Sequence, residues 1–326
     1  MNVFITRVIP QKGLELLKAA GCTVKQHTEQ RELSPEELIE QCRNQDVLLS
    51  SGPNVIDAHF LQTCRRLKGI ALLSVGHDNV DLEAATRFGI PVSNTPDVLT
   101  QATADTAFLL MLAVSRNAFY MNESIKRGDW GFNEPTANLG RELYGKTLGV
   151  FGLGRIGSDL AAKCKAVYQM DIIYHNRKPN KEAEQILGAR YVSFETLLQQ
   201  SDVLSVHAGL SPETKRIFNM AAFKRMKPSS IFVNTARGGL HDEADLTAAL
   251  QQQLIWGAGL DVTNPEPMAP DNPLLNMMNV CVLPHIGSAT VETRDKMAIM
   301  AAENIIAAVE KRKMPQILNP EVYDKI

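Results

Sequence analysis

The chain of 326 residues lacks the features that mark several other classes of protein. Its net charge is −2, so no overall field attracts nucleic acid or a membrane surface. No stretch approaches the roughly 18 uninterrupted apolar residues that a membrane-spanning helix needs. The opening segment, MNVFITRVIP, is too short and too soon interrupted by Pro10 for a secretory signal. We therefore expect a cytoplasmic protein that binds neither nucleic acid nor membranes.

Cysteine is scarce as well. The five cysteines are odd in number and scattered, and none forms a C-x-x-C pair. This pattern predicts neither a disulfide framework nor a zinc site, and we expect no bound metal. We interpret these residues as reduced thiols that fill the core. They are Cys22, Cys42, Cys64, Cys164 and Cys281.

What the chain has is a nearly continuous alternation of short apolar runs with helix-period segments. Strand-like runs are predicted at residues 3–6, 47–50, 70–74, 147–151, 172–174, 203–207, 231–234, 257–261 and 280–283. Early helices are predicted at residues 13–20, 35–42 (after Ser34 as N-cap) and 56–67. Strands that alternate with helices predict an α/β fold of two doubly wound parallel-sheet domains, Rossmann-like or flavodoxin-like, with a cleft between them.

Two further helices frame the second series of strands. Residues 100–127 contain the very apolar helix pattern ADTAFLLMLAVSR. We predict that this helix is buried on all sides, between domains or between subunits. A last helix, at about residues 289–311, is expected to pack onto the first domain.

A glycine-rich motif, GLGRIG, follows the apolar run 147–151 and opens the amphipathic segment 156–167. In this context the G-x-G-x-x-G spacing indicates a dinucleotide site rather than an ordinary strand–helix turn. The first glycine permits the tight turn, the second lets the backbone approach a pyrophosphate, and the third allows close helix packing. The free N–H groups of the helix would then face the phosphates. The residues assigned to the cofactor are Gly152, Gly154, Arg155, Ile156 and Gly157.

The cofactor type is suggested by the segment about 20 residues after the motif. Asn176 stands where an NAD-preferring site usually has an acidic residue, and Arg177 and Lys178 follow directly. A neutral amide and two cations suit a 2′-phosphate, so NADP(H) is favoured over NAD(H). The alternative is that Arg177 and Lys178 belong to an ordinary solvated loop.

Three polar residues follow strands of the second series: Arg237, Glu266 and His285. Reduction of a 2-keto acid needs a fixed cation for the carboxylate, and arginine supplies one. It also needs a proton donor, and histidine side chains exchange protons near neutral pH. A carboxylate bonded to that histidine favours its protonated form. Taken singly, each residue has an ordinary structural explanation in a turn or loop; together they indicate catalysis.

The sequence resembles the D-isomer-specific 2-hydroxyacid dehydrogenase family from end to end. Within that family it is most similar to the glyoxylate/hydroxypyruvate and 2-ketogluconate reductases. The segments that carry the resemblance are LLSVGHDNVDLEAATRFGIPVSNTP (72–96), TADTAFLLML (103–112), KTLGVFGLGRIG (146–157), NTARGGLHDEADL (234–246), GAGLDVTNPEP (257–267) and LPHIGSAT (283–290).

The resemblance implies roles for the site residues. Arg237 would orient the substrate, His285 would donate the proton, and Glu266 would partner the histidine. The backbone amides of Val75 and Gly76, with Ser288 nearby, would hold the substrate carboxylate. Contacts to the cofactor are further implied for Thr103, Thr235 and Asp261.

The resemblance also implies a domain division. Residues 1–98, completed by 287–326, would bind the substrate, and residues 99–286 would bind the dinucleotide. An arm at about 100–140 would form a homodimer. The expected activity is NAD(P)H-dependent reduction of glyoxylate, hydroxypyruvate or 2-ketogluconate to the D-2-hydroxy acid. Alternatives are a dinucleotide-sensing, corepressor-like binding protein and a phosphoglycerate-, formate- or phosphite-type dehydrogenase.

Overall fold

The computed structural model describes residues 1–132 and 134–325. The chain divides into two compact units. Unit 1 comprises Met1–Leu99 together with the segment from Ser288 to the C-terminal end, and unit 2 comprises Thr100–Gly287. Within the described residues, no helix is both long and apolar enough to cross a membrane.

Unit 1 is built on a parallel sheet, which has five strands within the described ranges of the chain. The strands are β1 (Asn2–Ile5), β2 (Thr23–Gln26), β3 (Val47–Ser50), β4 (Gly69–Leu72) and β5 (Val92–Ser93). Their order is β2-β1-β3-β4-β5, with Ile5 opposite Leu49, which is the flavodoxin-like arrangement. The helices are α1 (Gln11–Ala19), α2 (Pro35–Cys42), α3 (Ala58–Thr63), α4 (Leu82–Arg87) and a C-terminal helix (Val291–Val309).

Local signals explain two of these helices. Ser34 caps α2 as predicted, because its hydroxyl accepts the N–H of Glu37 while the Glu37 carboxylate accepts the N–H of Ser34. The C-terminal helix packs on α1 at Gly13, where a Cβ would lie only 2.8 Å from the carbonyl oxygen of Ala298. This close approach seats the last long helix within unit 1.

Unit 2 contains a second parallel sheet, with seven strands among the residues described. The strands are β6 (Thr147–Phe151), β7 (Asp171–His175), β8 (Arg190–Tyr191), β9 (Val203–Val206), β10 (Ile231–Asn234), β11 (Gly257–Leu260) and β12 (Val280–Val282). Their order is β12-β11-β10-β9-β6-β7-β8, the Rossmann arrangement extended by one strand. The two sheets confirm the predicted fold class of two doubly wound α/β domains.

The helices of unit 2 precede or separate these strands along the chain and bury its apolar core with them. They are α5 (Thr100–Ser115), α6 (Ala118–Lys126), α7 (Arg155–Tyr168), α8 (Lys181–Leu187), α9 (Phe194–Gln200), α10 (Met220–Phe223) and α11 (Glu243–Gln251). Short 3-10 turns occur at Gly238–Leu240 and Pro273–Asn276 in unit 2 and at Pro320–Lys325 in unit 1.

The segment 100–127 differs from the prediction in one way. It forms two helices rather than one, because Asn117 adopts a left-handed conformation (φ 53°) that ends the regular hydrogen-bond pattern, and asparagine tolerates this conformation better than most residues. Burial of α5 by a second subunit stays a prediction, since one side of the helix is exposed within this chain. Gln101, Asp105 and Leu109 form an exposed stripe at i, i+4 and i+8 spacing.

Candidate active site

The glycine loop joins β6 to α7 in only three residues, 152–154. Gly152 has φ of 97°, and a Cβ there would lie 2.6 Å from the backbone nitrogen of Ala208. A Cβ at Gly157 would lie 2.7 Å from the carbonyl oxygen of Gly152. At Gly154, in contrast, a Cβ would meet nothing within 4 Å. The loop is therefore packed tightly at its first and third glycines and open at its second.

The start of α7 has backbone N–H groups that no side chain of its N-cap residue satisfies, because that residue is Gly154. The first residues of this helix are Arg155 and Ile156, so their N–H groups lie at its positive end. An open backbone at Gly154 next to an uncapped helix N-terminus fits the pyrophosphate of a dinucleotide. The residues present therefore fit the cofactor that the sequence predicts.

Asn176 braces the glycine loop directly. Its Oδ1 accepts the N–H of Leu153 at 2.7 Å, and the Nδ2 of Asn180 donates to the Leu153 carbonyl at 2.9 Å. The hydroxyl of Tyr191 donates to the Asn176 carbonyl at 3.0 Å. The Asn176 side chain thus faces the loop backbone, which is a contact that the sequence did not reveal.

Arg177 and Lys178, which follow, are both exposed. Glu213 lies near Arg177: the hydroxyl of Ser211 lowers the pKa of Glu213, and the charge of Arg177 contributes in the same direction. The two cations are accessible to a ligand, and a carboxylate stands close to one of them.

His285 and Glu266 form a pair at the ends of β12 and β11. The Nδ1 of His285 lies 2.5 Å from the Oε1 of Glu266. About half of each side chain is exposed, 48% for His285 and 41% for Glu266. His285 itself has φ of 54°, in the left-handed region. With Nδ1 bonded to the carboxylate, the other ring nitrogen, Nε2, is left to act on a substrate.

The electrostatics of Glu266 fit this pairing. Burial acts to raise the pKa of Glu266, but the hydrogen bond and charge of His285 outweigh it, helped by the backbone of Thr263 and the charge of Arg237. The net result is a lowered pKa, so the carboxylate is ionised at neutral pH. An ionised carboxylate stabilises a protonated imidazole beside it.

Arg237 follows β10 in a turn that side chains hold in place. Asn234 accepts the N–H of Ala236 at 3.0 Å and donates to the carbonyl of Arg237 at 2.9 Å. The Nη1 of Arg237 donates to the Ala236 carbonyl at 2.7 Å. Because Arg237 also lowers the pKa of Glu266, the three residues picked out by the sequence share one electrostatic environment.

Asp261 anchors the backbone that follows His285. Its two carboxylate oxygens accept the N–H groups of Ile286 at 2.8 Å and Gly287 at 2.7 Å. Burial raises the pKa of Asp261, against the opposing effect of these two bonds. The methyl group of Thr103 is close to the same turn, 3.4 Å from where a Cβ at Gly287 would lie.

Thr235 contributes a polar atom without a protein partner. Its Oγ1 is buried and makes no hydrogen bond to any residue that the structure describes. A buried hydroxyl of this kind costs free energy unless a ligand or water satisfies it. This observation fits the role that the resemblance implies for Thr235 toward the cofactor.

In unit 1 the turn after β4 presents backbone donors. The carbonyl of Val75 accepts from Asn94 Nδ2 at 2.8 Å, and the carbonyl of Gly76 accepts from Ser74 Oγ at 2.7 Å. Among the described residues, none accepts the N–H of Val75 or of Gly76. Ser288 begins the C-terminal segment of the same unit.

Within the described ranges, the side chains that could bind a metal or act as thiol nucleophiles form neither a metal site nor a reactive cysteine. No group of three or more His, Cys, Asp or Glu side chains there could hold a metal ion. All five cysteines are buried and unpaired, and burial raises the pKa of each thiol. Such thiols stay protonated at neutral pH and are poor nucleophiles.

Comparison with known proteins places these features in context. Residues 108–287 match the family described as D-isomer specific 2-hydroxyacid dehydrogenase, NAD binding domain. The chain is 41% identical over 325 residues to a glyoxylate reductase of Thermococcus litoralis, with 98% of this chain and 97% of that protein covered.

Solved structures agree. A protein of Thermus thermophilus superposes with a TM-score of 0.91 at 41% identity, covering 98% of this chain and all of the other. An NADPH-dependent glyoxylate/hydroxypyruvate reductase of Sinorhizobium meliloti, solved with NADP and malonate, gives a TM-score of 0.84 at 30% identity. That superposition covers 98% of this chain and 97% of the other. The similarity therefore extends over both units of the chain.

Proposed function

The chain belongs to the D-isomer specific 2-hydroxyacid dehydrogenase family, and we propose that it reduces a small 2-keto acid to the D-2-hydroxy acid with a nicotinamide cofactor. The observation that carries this proposal is the 2.5 Å contact between His285 and Glu266, in the same unit as the glycine loop. Glyoxylate and hydroxypyruvate are the substrates we favour, because similar proteins are named as reductases of these acids. Reduction of 2-ketogluconate stays a prediction.

Three residues of unit 2 are each assigned a role in this reaction. When bound, the nicotinamide cofactor supplies a hydride to the keto carbon. His285 donates a proton to the carbonyl oxygen from Nε2, while Glu266 holds the ring through Nδ1 and stabilises its protonated form. Arg237 polarises the carbonyl group and binds the carboxylate of the substrate.

The substrate carboxylate needs further donors, and we assign these to unit 1. The N–H groups of Val75 and Gly76 have no acceptor among the described residues, which supports this role. Ser288 would add a hydroxyl nearby. Two adjacent backbone N–H groups form the kind of concave donor site that carboxylates occupy.

The cofactor is proposed to be NADP(H), on the strength of Arg177 and Lys178. Both cations are exposed at the end of β7, and the similar Sinorhizobium meliloti enzyme is named as NADPH-dependent. Asn176 is assigned a supporting part, since its side chain is bonded to Leu153. Thr103, Thr235 and Asp261 are proposed to lie around the nicotinamide.

Initial-rate assays test these assignments together. Glyoxylate, hydroxypyruvate and 2-ketogluconate are each offered with NADPH and with NADH, to the unaltered chain, to Arg177→Gln and to Lys224→Gln as an exposed control. We expect NADPH to be preferred about tenfold or more, equivalent to about 1.4 kcal/mol, and only Arg177→Gln to lose this preference. A preference for NADH overturns the cofactor assignment. Failure to reduce any of the acids overturns the assignment as a 2-keto acid reductase, in favour of a binding protein or of a dehydrogenase of formate or phosphite.

Self-association is proposed from the arm at about 100–140. Three of its apolar side chains are strongly exposed in the single chain: Trp130 at 75%, Phe132 at 88% and Leu139 at 63%. Exposed apolar groups clustered in one segment mark interaction surfaces. Sedimentation equilibrium should give a homodimer, and a monomer at micromolar concentration would contradict this. The cytoplasmic location stays a prediction.

A further inference from the structure

The turn that carries Arg237 depends on one buried amide. The side chain of Asn234 is fully buried and makes three hydrogen bonds. Its Oδ1 must accept from the N–H of Ala236, and its Nδ2 must donate to the carbonyl of Arg237. These two backbone partners fix the orientation of the amide, because a flipped amide would set donor against donor and acceptor against acceptor.

The third partner of this amide is His241. The Nδ1 of His241 lies 3.0 Å from the Nδ2 of Asn234. An amide NH₂ group can only donate, so Nδ1 has to be an unprotonated acceptor. His241 is then neutral, with its proton on Nε2. The contact therefore fixes the tautomer of the histidine as well as the position of the amide.

The surroundings of His241 agree with a neutral ring. Its side chain is completely buried, with the ring of Phe232 at a centroid distance of 5.9 Å. Burial lowers the pKa of His241 to about 4, with the charge of Asp242 opposing this. Its Nε2 makes no hydrogen bond to any described residue. A buried N–H without a partner destabilises the fold, so an apolar residue would be the cheaper occupant unless Nδ1 is needed.

We infer that His241 is a positioning residue, which locks Asn234 and through it the backbone of Arg237 in the orientation that binds the keto acid. This inference rests on the function proposed above for Arg237. The 3-10 turn Gly238–Leu240 lies between Arg237 and His241 along the chain. It lies tightly against the end of β11, since a Cβ at Gly238 would come within 1.9 Å of the Thr263 carbonyl oxygen. Because the turn has no room to shift, a small rotation of the Asn234 side chain would move the backbone of Arg237.

Two substitutions with the same number of side-chain heavy atoms test the inference. His241→Asn keeps a side-chain acceptor close to the position of Nδ1, whereas His241→Leu replaces it with a methyl group. We expect kcat/KM for glyoxylate to be about tenfold lower in His241→Leu than in His241→Asn, because a misplaced binding group weakens the transition state. The Kd of the cofactor should be equal in the two variants, since the glycine loop is untouched. Equal kcat/KM values in the two would overturn the inference.

The tautomer gives a second readout that does not depend on turnover. Nitrogen-15 spectra of the unaltered chain, with each histidine ring assigned through its own backbone resonances, should show the His241 ring neutral and protonated at Nε2 from pH 6 to 8. A proton on Nδ1 of that ring would overturn the inference, even if the variants failed to fold. Reduction of a keto acid by the unaltered chain tests the proposed function separately, so a failure of the inference can be told from a failure of the function.

Discussion

The two units share one architecture and differ at the point where the strand order reverses. In unit 2 the reversal lies between β6 and β9, and the chain leaves β6 through a three-residue loop that is open at Gly154. In unit 1 it lies between β1 and β3, where the hydroxyl of Thr6 bonds to both the N–H and the carbonyl of Ser51, at 2.8 and 2.9 Å. Asn54 adds a bond to the same carbonyl at 2.9 Å.

Doubly wound sheets bind ligands at this reversal point, so the contrast is informative. Unit 2 leaves the backbone open at Gly154 there, whereas unit 1 ties the loop after β1 to the end of β3 with side-chain hydrogen bonds. Neither α1 nor α7 has a side-chain cap, so the difference lies in the loops and not in the helix ends. The connection from β1 to α1 is also longer, 6–10, and ends in Pro10 rather than in a glycine. The fold supplies the position, and a few side chains decide whether a dinucleotide can use it.

The largest effect is expected from removing the proposed proton donor, and it tests whether the chemistry belongs to unit 2. His285→Ala should lower kcat for glyoxylate reduction by about 10²- to 10⁴-fold, because the proton donor is lost. The Kd of the cofactor should not change. Initial rates and cofactor fluorescence titration measure the two quantities. His59→Ala, an exposed histidine of unit 1, is the control, and a similar loss in that variant would break the comparison.

The next largest effect is expected on cofactor affinity when Gly154, the open glycine of the loop, is replaced. Gly154→Ala should fold normally, because its Cβ meets nothing within 4 Å and φ is −92°. It should bind the cofactor about tenfold more weakly, or about 1.4 kcal/mol, because the methyl group keeps the pyrophosphate from the backbone. Calorimetric titration measures the Kd, with Gly131→Ala as a control at another open glycine. Unchanged affinity in Gly154→Ala would mean that the dinucleotide lies elsewhere.

A smaller effect sharpens the account of the histidine–carboxylate pair. The folded chain lowers the pKa of Glu266, so the pair is stabilising at neutral pH and this contribution is lost as pH falls through that lowered value. Glu266→Gln keeps a hydrogen-bond acceptor but removes the charge that favours protonated His285. The decline of kcat/KM for reduction at acid pH, where the unaltered chain protonates Glu266, should therefore be missing in this variant. Glu182→Gln, an exposed control, should keep the original profile; a profile unmoved in Glu266→Gln would remove the electrostatic role.

The smallest effect tests the closed reversal point of unit 1. Thr6→Val should destabilise the chain by about 1–3 kcal/mol, because Thr6 is buried and Ser51 would lose its bonds to the hydroxyl. Thermal unfolding should show a midpoint lower by a few degrees, with cofactor affinity unchanged. Thr63→Val, an exposed control, should stay within about 0.5 kcal/mol. Weaker cofactor binding in Thr6→Val would show that unit 1 shares in the dinucleotide site.

Most of the fold followed from strands buried on both faces, and the strands that sequence reasoning missed share one property. β2 has the polar sequence TVKQ, β5 has only two residues, and both residues of β8 are exposed. All three are edge strands of their sheets. β2 and β8 are at least partly exposed, and β5, although buried, is too short to give an apolar signal. The helix predicted across 100–127 broke at Asn117 because a single left-handed residue leaves no periodic signal.

The residues of the candidate site likewise fall into those that sequence patterns indicated and those that they missed. Strand ends pointed to Glu266 and His285, and the structure brings their side chains together. Asn234 and His241 were not singled out, because their part depends on a hydrogen bond inside a buried turn rather than on a motif. The bracing of the glycine loop by Asn176 was likewise invisible, since residue type alone does not tell which way an amide points.

One measurement tests the central claim most directly. Hydroxypyruvate is offered to the chain with NADPH that carries deuterium in both positions at C4 of the dihydronicotinamide ring, and the product is analysed by NMR and chiral chromatography. The account predicts D-glycerate with deuterium at C2, because the hydride comes from the cofactor and one face of the keto acid is presented. Product with solvent hydrogen at C2, the L-enantiomer, or no product at all would contradict it.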